Sequence, residues 1–126
     1  IVLGESTDHY DPAAVKASMG SVFTVPVFRP TLASLSAFLI KTPDLRVVGT
    51  SDKGSQDFAA YPYPNDCLIF LGSERQGLSE GLMALCDDVV SIPMQGACDS
   101  LNIAVAAGII AYQAYLQNRM TNDSQP

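Results

Sequence analysis

An unbroken apolar run, Cys67–Leu71, constrains the fold more than any other segment of this chain. A run this short, without polar alternation, is typical of a strand buried on both faces of a parallel sheet. Two further strands are predicted at Arg46–Thr50 and Val89–Ile92, and segments with helical spacing lie around all three. Strands that alternate with helices predict an α/β fold, with a mainly parallel sheet flanked by helices.

Capping residues and glycine or proline stops predict where the helices begin and end. The predicted helices run from Asp11-Pro12 to Gly20, from Thr31 to Pro43, from Ser79 to near Cys86, and over Leu101–Gln117. The last helix is apolar nearly all round at its start, which predicts burial within the domain or against a second subunit. We also expect short strands at Ile1–Leu3 and Val22–Val27, and a polar loop over Asp52–Pro64.

Composition limits the class of protein. The chain has 126 residues, 48% of them apolar and 16% charged, which predicts one folded domain. Seven Lys and Arg face thirteen Asp and Glu, a net charge of −6. This balance argues against strong electrostatic nucleic-acid binding by the chain alone, although it leaves room for a local basic patch.

Three cysteines and a single histidine support neither a disulfide framework nor a metal site. They predict free thiols in a reducing, cytoplasmic setting. No apolar run reaches the roughly 18 residues of a membrane span, so we expect no membrane partner. The chain begins at Ile1 rather than Met, and we expect native sequence in front of it.

Small and polar residues follow each of three predicted strands. They are Gly49-Thr50-Ser51, Leu71-Gly72-Ser73-Glu74 and Ile92-Pro93-Met94-Gln95-Gly96. Because ligands of parallel sheets bind at the carboxyl ends of the strands, these segments predict a crevice for a nucleotide-like ligand.

The chemistry of the crevice leaves alternatives open. Gly72 and Gly77 have the spacing of a phosphate loop, but Leu78 occupies the position where that loop needs Lys. This difference excludes a nucleotide triphosphatase. An ordinary strand-to-helix turn is the alternative interpretation of the two glycines. Glu74 is either an acid, base or ion-pair partner, or a solvated carboxylate. Ser100 or Asp99 would cap the last helix and Asn102 would lie in its first turn. The alternative for these last residues is a plain cap and an exposed amide.

Two long segments resemble signatures of one family. Leu68–Leu78 resembles the second signature of the SpoU/TrmH branch of the SPOUT superfamily, the RNA ribose 2′-O-methyltransferases. Ile92–Gly96, followed by Ser100–Ala106, resembles the third signature. Asp11–Gly20 and Val25–Val27 resemble the segment between the first and second signatures, so the resemblance covers nearly the whole chain in the family's order.

The resemblance implies a fold, a cofactor and a set of site residues. The fold would include a deep C-terminal trefoil knot, and the protein would be a homodimer packed through the knot region. S-adenosylmethionine would be the cofactor. The implied cofactor-binding residues are Thr50, Ser51, Leu71, Gly72, Ile92, Pro93, Met94, Gly96 and Leu101, and the implied catalytic residues are Glu74, Ser100 and Asn102.

The family's first signature, an Asn followed by a catalytic Arg, is absent from the chain. We therefore expect residues 1–120 to be a SPOUT methyltransferase domain without its first strand and helix, and residues 121–126 to be a flexible tail. The candidate RNA contacts are Lys16, Arg29, Lys53 and Arg75, with solvated surface charges as the alternative.

The predicted function is S-adenosylmethionine-dependent 2′-O-methylation of a ribose in rRNA or tRNA. A cofactor-binding dimerisation module without activity, or a flavodoxin-like nucleotide binder, is the alternative.

Overall fold

The computed structural model describes residues 1–73, 75–95 and 101–122. The chain divides into two compact units, Ile1–Thr42 and Pro43–Pro126. The first unit is helical and the second contains a sheet. Within the described residues, no helix has the length and apolar character needed to cross a membrane.

The first unit contains two α-helices with side-chain caps. Helix α1 is Pro12–Ala17, and its cap Asp11 accepts a hydrogen bond from the amide of Ala13 at 2.8 Å. Helix α2 is Leu32–Lys41, and the hydroxyl of Thr31 accepts from the amide of Ser34 at 3.1 Å. The predictions of both helix starts from Asp and Thr caps are confirmed.

Both strands predicted in the first unit are wrong. Ser21–Phe23 form a 3₁₀-helix, and the amides of Thr24 and Val25 donate to the carbonyl of Ser21. These local bonds occupy the groups that a strand would pair, which overrides the β preference of the valines. Residues 1–3 form no strand either, although the amide of Val2 donates to the carbonyl of Phe28 at 2.8 Å.

The second unit contains a four-stranded sheet in the order β2-β4-β1-β3. All its described pairings are parallel, which confirms the predicted fold class at that level. Gln56–Asp57 pair as a short strand inside the segment that we expected to be a loop. The strands are β1 (Arg46–Thr50), β2 (Gln56–Asp57), β3 (Cys67–Phe70) and β4 (Asp88–Ser91).

The prediction that the Cys67–Leu71 strand is buried on both faces is wrong. In β3 only Phe70 is buried, and the other three residues are half-buried. The reason is topological, because β3 is an edge strand of the sheet. The buried strand is instead the central strand β1, in which Val47 is 2% exposed and Val48 is 0% exposed.

Two helices complete the second unit. Helix α3 is the short segment Glu80–Met83, and the hydroxyl of Ser79 accepts from the amide of Leu82. Helix α4 is Ile103–Asn122, so it begins two residues later than predicted. Asn102 caps it, because its Oδ1 accepts from the amide of Ala104 at 2.9 Å. The core of the unit joins this helix to the sheet and contains Val48, Tyr61, Tyr63, Val90, Ile110 and Ala114.

Polar side chains of α4 bind the connection between β2 and β3. The side-chain amides of Gln113 and Gln117 both donate to the carbonyl of Ala59, at 3.0 and 3.1 Å. Asn118 donates to the carbonyl of Pro64 at 3.4 Å. These bonds fix the carboxyl half of α4 against the sheet connection and so help to set the path of the whole helix.

A hydrogen-bonded cluster lies at the amino end of the sheet, where β1 and β4 begin. One carboxylate oxygen of Asp88 accepts from Arg46 at 2.6 Å and from the hydroxyl of Tyr61 at 2.8 Å. The other oxygen accepts from Gln56 at 3.0 Å. The hydrogen bonds from Tyr61 and then Arg46 lower the pKa of Asp88. Burial, and next the hydrogen bond to Asp88, raises the pKa of Tyr61 to about 12.

Replacing Asp88 with Asn is expected to lower the free energy of unfolding at pH 7 by about 1 kcal/mol, since the partly buried hydroxyl of Tyr61 loses its charged acceptor and the exposed ion pair with Arg46 adds little. A carboxyl whose folded pKa lies below its unfolded value stabilises above the unfolded pKa, and this contribution is lost as pH falls through the folded value. The difference between the parent chain and Asp88→Asn is therefore expected to shrink below about pH 4. Urea titrations from pH 7 to pH 2.5 measure it, and a difference independent of pH would contradict the prediction.

Candidate active site

A cavity of about 540 Å³ opens at the carboxyl ends of β1, β3 and β4. The segments that follow the three strands supply its floor and rim, and α3 and α4 supply its walls. Every lining residue belongs to the second unit. They are Thr50, Ser51, Asp52, Lys53, Leu71, Gly72, Ser73, Arg75, Gln76, Gly77, Leu78, Met83, Val90, Ile92, Met94, Leu101, Ile103, Ala106 and Ile110.

The end of β1 is bonded to both neighbouring strands at the cavity floor. The hydroxyl of Thr50 donates to the carbonyl of Phe70 in β3 at 2.9 Å. On the other side, the amide of Ser51 donates to the carbonyl of Val90 in β4 at 3.1 Å. The floor is therefore a hydrogen-bonded seam across three strand ends.

A tight turn follows β1 and carries two charged residues. The hydroxyl of Ser51 donates to the carboxylate of Asp52 at 3.1 Å and accepts from the amide of Lys53 at 3.2 Å. Gly54 closes the turn against β4, and a Cβ placed there would lie 2.4 Å from the carbonyl carbon of Val90. Only glycine fits such a close approach of two backbones.

The loop after β3 is a second tight turn. The backbones of Ser73 and Gly77 exchange hydrogen bonds at 3.0 and 2.9 Å, and Gly77 has a φ of +67°. Gly72 packs directly on this turn, since a Cβ there would lie 2.0 Å from the carbonyl carbon of Gly77 and 2.2 Å from the nitrogen of Leu78. The loop therefore leaves backbone groups, rather than side chains, facing a ligand at Gly72.

Charge and polarity are unevenly distributed over the cavity. Its walls contain apolar side chains from the strand ends and from α4, whereas its rim carries the exposed cations Lys53 and Arg75 and the exposed carboxylate of Asp52. Within the described part of the chain, no group of three or more His, Cys, Asp and Glu side chains could hold a metal ion. The arrangement suits a ligand with an apolar or aromatic body and polar ends.

Cys86 lies beside the end of β1 without lining the cavity. Its Sγ donates to the carbonyl of Leu82 at 3.3 Å and would lie 2.7 Å from a Cβ at Gly49. Burial, and then the charge of Asp87, raises the pKa of this thiol to about 11. A thiol that stays protonated at neutral pH is a poor nucleophile.

The structure brings together most of the residues predicted to bind the cofactor. Seven of the nine line the cavity, namely Thr50, Ser51, Leu71, Gly72, Ile92, Met94 and Leu101. Pro93 does not line it, and Gly96 lies outside the described residues. Their role in binding stays a prediction.

The other predicted site residues divide between three places. Glu74 and Ser100 lie outside the described residues, and Asn102 adjoins the cavity residue Leu101 and caps α4. Lys53 and Arg75 lie on the rim. Lys16 and Arg29 belong to the first unit; Lys16 lies in the last turn of α1, and Arg29 donates to the carbonyl of Ser6 at 2.9 Å.

Sequence reasoning missed the part of the cavity wall that α4 contributes. Ile103, Ala106 and Ile110 line the cavity and have the i, i+3, i+7 spacing of one helix face. That spacing, on a helix that directly follows the third strand-end segment, was the available signal. Asp52 was also missed, although it directly follows the predicted strand-end segment Gly49-Thr50-Ser51.

A sequence model described as the SpoU rRNA Methylase family matches residues 1–112. The chain belongs to this family. A relative, the 23S rRNA (uridine(2479)-2′-O)-methyltransferase of Streptomyces viridochromogenes, is 38% identical over 123 residues, which are 93% of this chain and 42% of the relative.

Solved structures give the same family. The SpoU methyltransferase AviRb from Streptomyces viridochromogenes, in complex with the cofactor AdoMet, superposes with a TM-score of 0.88 at 35% identity, over 94% of this chain and 49% of that one. An AdoMet-bound rRNA methyltransferase from Sinorhizobium meliloti gives a TM-score of 0.76 at 33% identity, over 89% of this chain and 43% of that one. The SpoU chain thus spans less than half the length of these relatives.

Proposed function

We propose that this SpoU chain is the cofactor-binding part of an enzyme that methylates a ribose 2′-hydroxyl in rRNA or tRNA, with S-adenosylmethionine as methyl donor. The observation that carries the proposal is the cavity at the carboxyl end of the parallel sheet, in a chain 38% identical to a 23S rRNA 2′-O-methyltransferase. A likeness to two AdoMet-bound structures supports the choice of cofactor.

The residues present fit that cofactor. A volume of about 540 Å³ lies within the range of small-molecule sites, roughly 300–1,000 Å³. Gly72 lines the cavity without a side chain, so its backbone would contact the adenosine, and apolar side chains such as Ile92 and Leu101 would cover its rings. S-adenosylmethionine supplies the methyl group when it is bound.

Positioning and proton removal are the tasks left for the chain's own residues. We assign Glu74, Ser100 and Asn102 to the reacting centre, as the resemblance to the second and third signatures implies. The rim cations Lys53 and Arg75 would contact RNA phosphates, and Lys16 and Arg29 are further candidates. A local basic rim is the form of RNA contact open to a chain whose net charge is −6.

The finer features of the fold belong to the same proposal. A deep trefoil knot in the C-terminal part would belong to this fold, as the resemblance to the family's second and third signatures implies. Residues 1–120 would form the SPOUT domain, and the predicted start of a tail at residue 121 is wrong, because helix α4 continues to Asn122.

A homodimer is also part of the proposal, and the outer face of α4 supports it. We define this face as Ala104, Gly108, Ala111, Tyr112 and Tyr115, whose spacing places them on one side of the helix. All five are exposed, with Tyr112 at 62% and Tyr115 at 55%. Small residues beside two large rings give a surface on which a second copy of the helix can pack closely.

The cofactor proposal is tested by calorimetric titration of the chain with S-adenosylhomocysteine, the demethylated product. We expect saturable binding of one molecule per chain, with a dissociation constant in the range of about 1–100 μM. A flavin and a nucleoside triphosphate are the control ligands, and we expect neither to compete. A chain that is folded by circular dichroism but shows no saturable binding would contradict the proposal.

A further inference from the structure

The hydroxyl of Thr50 has a bonding partner within the protein at the cavity floor. Thr50 is the last residue of β1 and its side chain is half-buried. Its Oγ1 donates to the carbonyl oxygen of Phe70, the last residue of β3, at 2.9 Å. The proton of this hydroxyl is therefore engaged by the neighbouring strand.

This bond continues the sheet beyond its last backbone pair. The register of β1 and β3 ends at Gly49 and Phe70, so the pairing with β3 does not extend to Thr50, which pairs with Val90 of β4 on its other side. Beyond the last backbone pair of β1 and β3, the side chain of Thr50 donates a hydrogen bond to the carbonyl of Phe70. The direction in which the chain leaves β3 is fixed at this point.

The segment that leaves β3 has little freedom to adjust. Leu71 and Gly72 come directly after Phe70, and both line the cavity. Gly72 is packed so closely on Gly77 that an added Cβ would lie 2.0 Å from its carbonyl carbon. A shift of the Phe70 carbonyl is therefore passed to Gly72 and to the hydrogen-bonded pair Ser73 and Gly77.

We propose that Thr50 is a positioning residue for the cofactor, and that its hydroxyl places Leu71 and Gly72 by holding the Phe70 carbonyl. This inference rests on the proposed cofactor site. The role of Thr50 is indirect. The ligand would contact Leu71 and Gly72, which Thr50 positions, and would not contact the hydroxyl of Thr50.

Thr50→Val tests the inference because valine keeps the shape and β-branching of threonine and removes the hydroxyl. We expect the dissociation constant for S-adenosylhomocysteine to rise about five- to tenfold, the effect of losing one hydrogen bond to a half-buried carbonyl. Thr50→Ser is expected to restore binding to within about twofold of the parent chain.

Thr42→Val is a matched control. Thr42 is also half-buried and donates to a phenylalanine carbonyl, that of Phe38, at 2.9 Å, but it does not line the cavity. The thermal midpoint is expected to fall in both variants, and by less in Thr42→Val, because the hydrogen bond of Thr42 is exposed and that of Thr50 is partly buried. The dissociation constant is expected to change only in Thr50→Val.

Hydrogen exchange of the ligand-free chain distinguishes positioning from direct contact. We expect the amides of Ser73 and Gly77, which bond across the turn, to exchange faster in Thr50→Val than in the parent chain. Weaker binding without faster exchange would mean direct contact and would overturn the inference, as would unchanged binding in Thr50→Val. If Thr50→Val does not fold, Thr50→Ser and Thr50→Ala give the same comparison, and equal affinities overturn it. Absence of binding by the parent chain overturns the cofactor proposal itself, and the inference with it.

Discussion

Replacing Gly72 with alanine is expected to weaken the binding of S-adenosylhomocysteine at least about 100-fold. The added Cβ would lie 2.0 Å from the carbonyl carbon of Gly77 and 2.2 Å from the nitrogen of Leu78. Both contacts are with backbone, so no side chain can rotate away, and the backbone at Gly77 and Leu78 has to move. Because Gly72 follows β3 and forms no part of the sheet ladder, we expect the chain to remain folded.

Calorimetric titration with S-adenosylhomocysteine measures the loss of affinity, and urea unfolding measures the free energy of unfolding. We expect the free energy of unfolding of Gly72→Ala to fall by about 1–3 kcal/mol. Gly77→Ala is the graded control, since its Cβ would meet nothing within 4 Å and only the φ of +67° is unfavourable. That strain is worth about 1–2 kcal/mol, so we expect a loss of affinity of no more than about 30-fold. A Gly72→Ala variant that binds within about threefold of the parent chain would contradict this account of the cavity.

Replacing Gly108 with arginine is expected to convert the proposed homodimer into a monomer. Gly108 lies in the middle of the outer face of α4, and a Cβ there meets nothing within 4 Å in the chain itself. Glycine is a poor helix former, and arginine is better by several tenths of a kcal/mol, so the substitution is not expected to unfold the helix. A long charged side chain between two copies of the face is expected to prevent their close approach.

Sedimentation velocity at about 10–50 μM chain measures the result, a range in which an interface of moderate affinity stays assembled. Ala37→Arg is the control, because it places the same side chain at an exposed small residue in the middle of α2. We expect Ala37→Arg to sediment as a dimer with the parent chain. A Gly108→Arg variant that also sediments as a dimer would show that the outer face of α4 is not the interface.

The sequence predicted those elements whose ends are marked by local chemistry. Thr31 and Pro43 bracket α2, and Arg46–Thr50 was predicted with the bounds that the structure shows. The segment Val22–Val27 was misread because its valines favour a strand only where a neighbouring strand is present, and here the carbonyl of Ser21 accepts local bonds instead. The bounds of an element thus follow from nearby residues, whereas its burial and pairing depend on distant ones.

The candidate site likewise combines positions that local sequence predicts with contacts that depend on distant residues. The strand-end rule brought Thr50, Leu71 and Ile92 together correctly, since all three line one cavity. The bond from Thr50 to Phe70 joins residues 20 apart in sequence, and the bonds of Asp88 join residues up to 42 apart. Such contacts depend on the strand order and register, which no local pattern contains.

The order of the strands also determines when the fold can form. Among the strands of the described residues, none pairs with the strand next to it in sequence, since β4 lies between β2 and β1 and the order ends with β3. The sheet therefore has no hairpin that could nucleate it early, and each pairing must first close a long loop. During synthesis, β2 has no partner until β4 has emerged and inserted beside β1. The floor of the cavity, where Ser51 bonds to Val90, is therefore expected to form only after β4 has paired with β1.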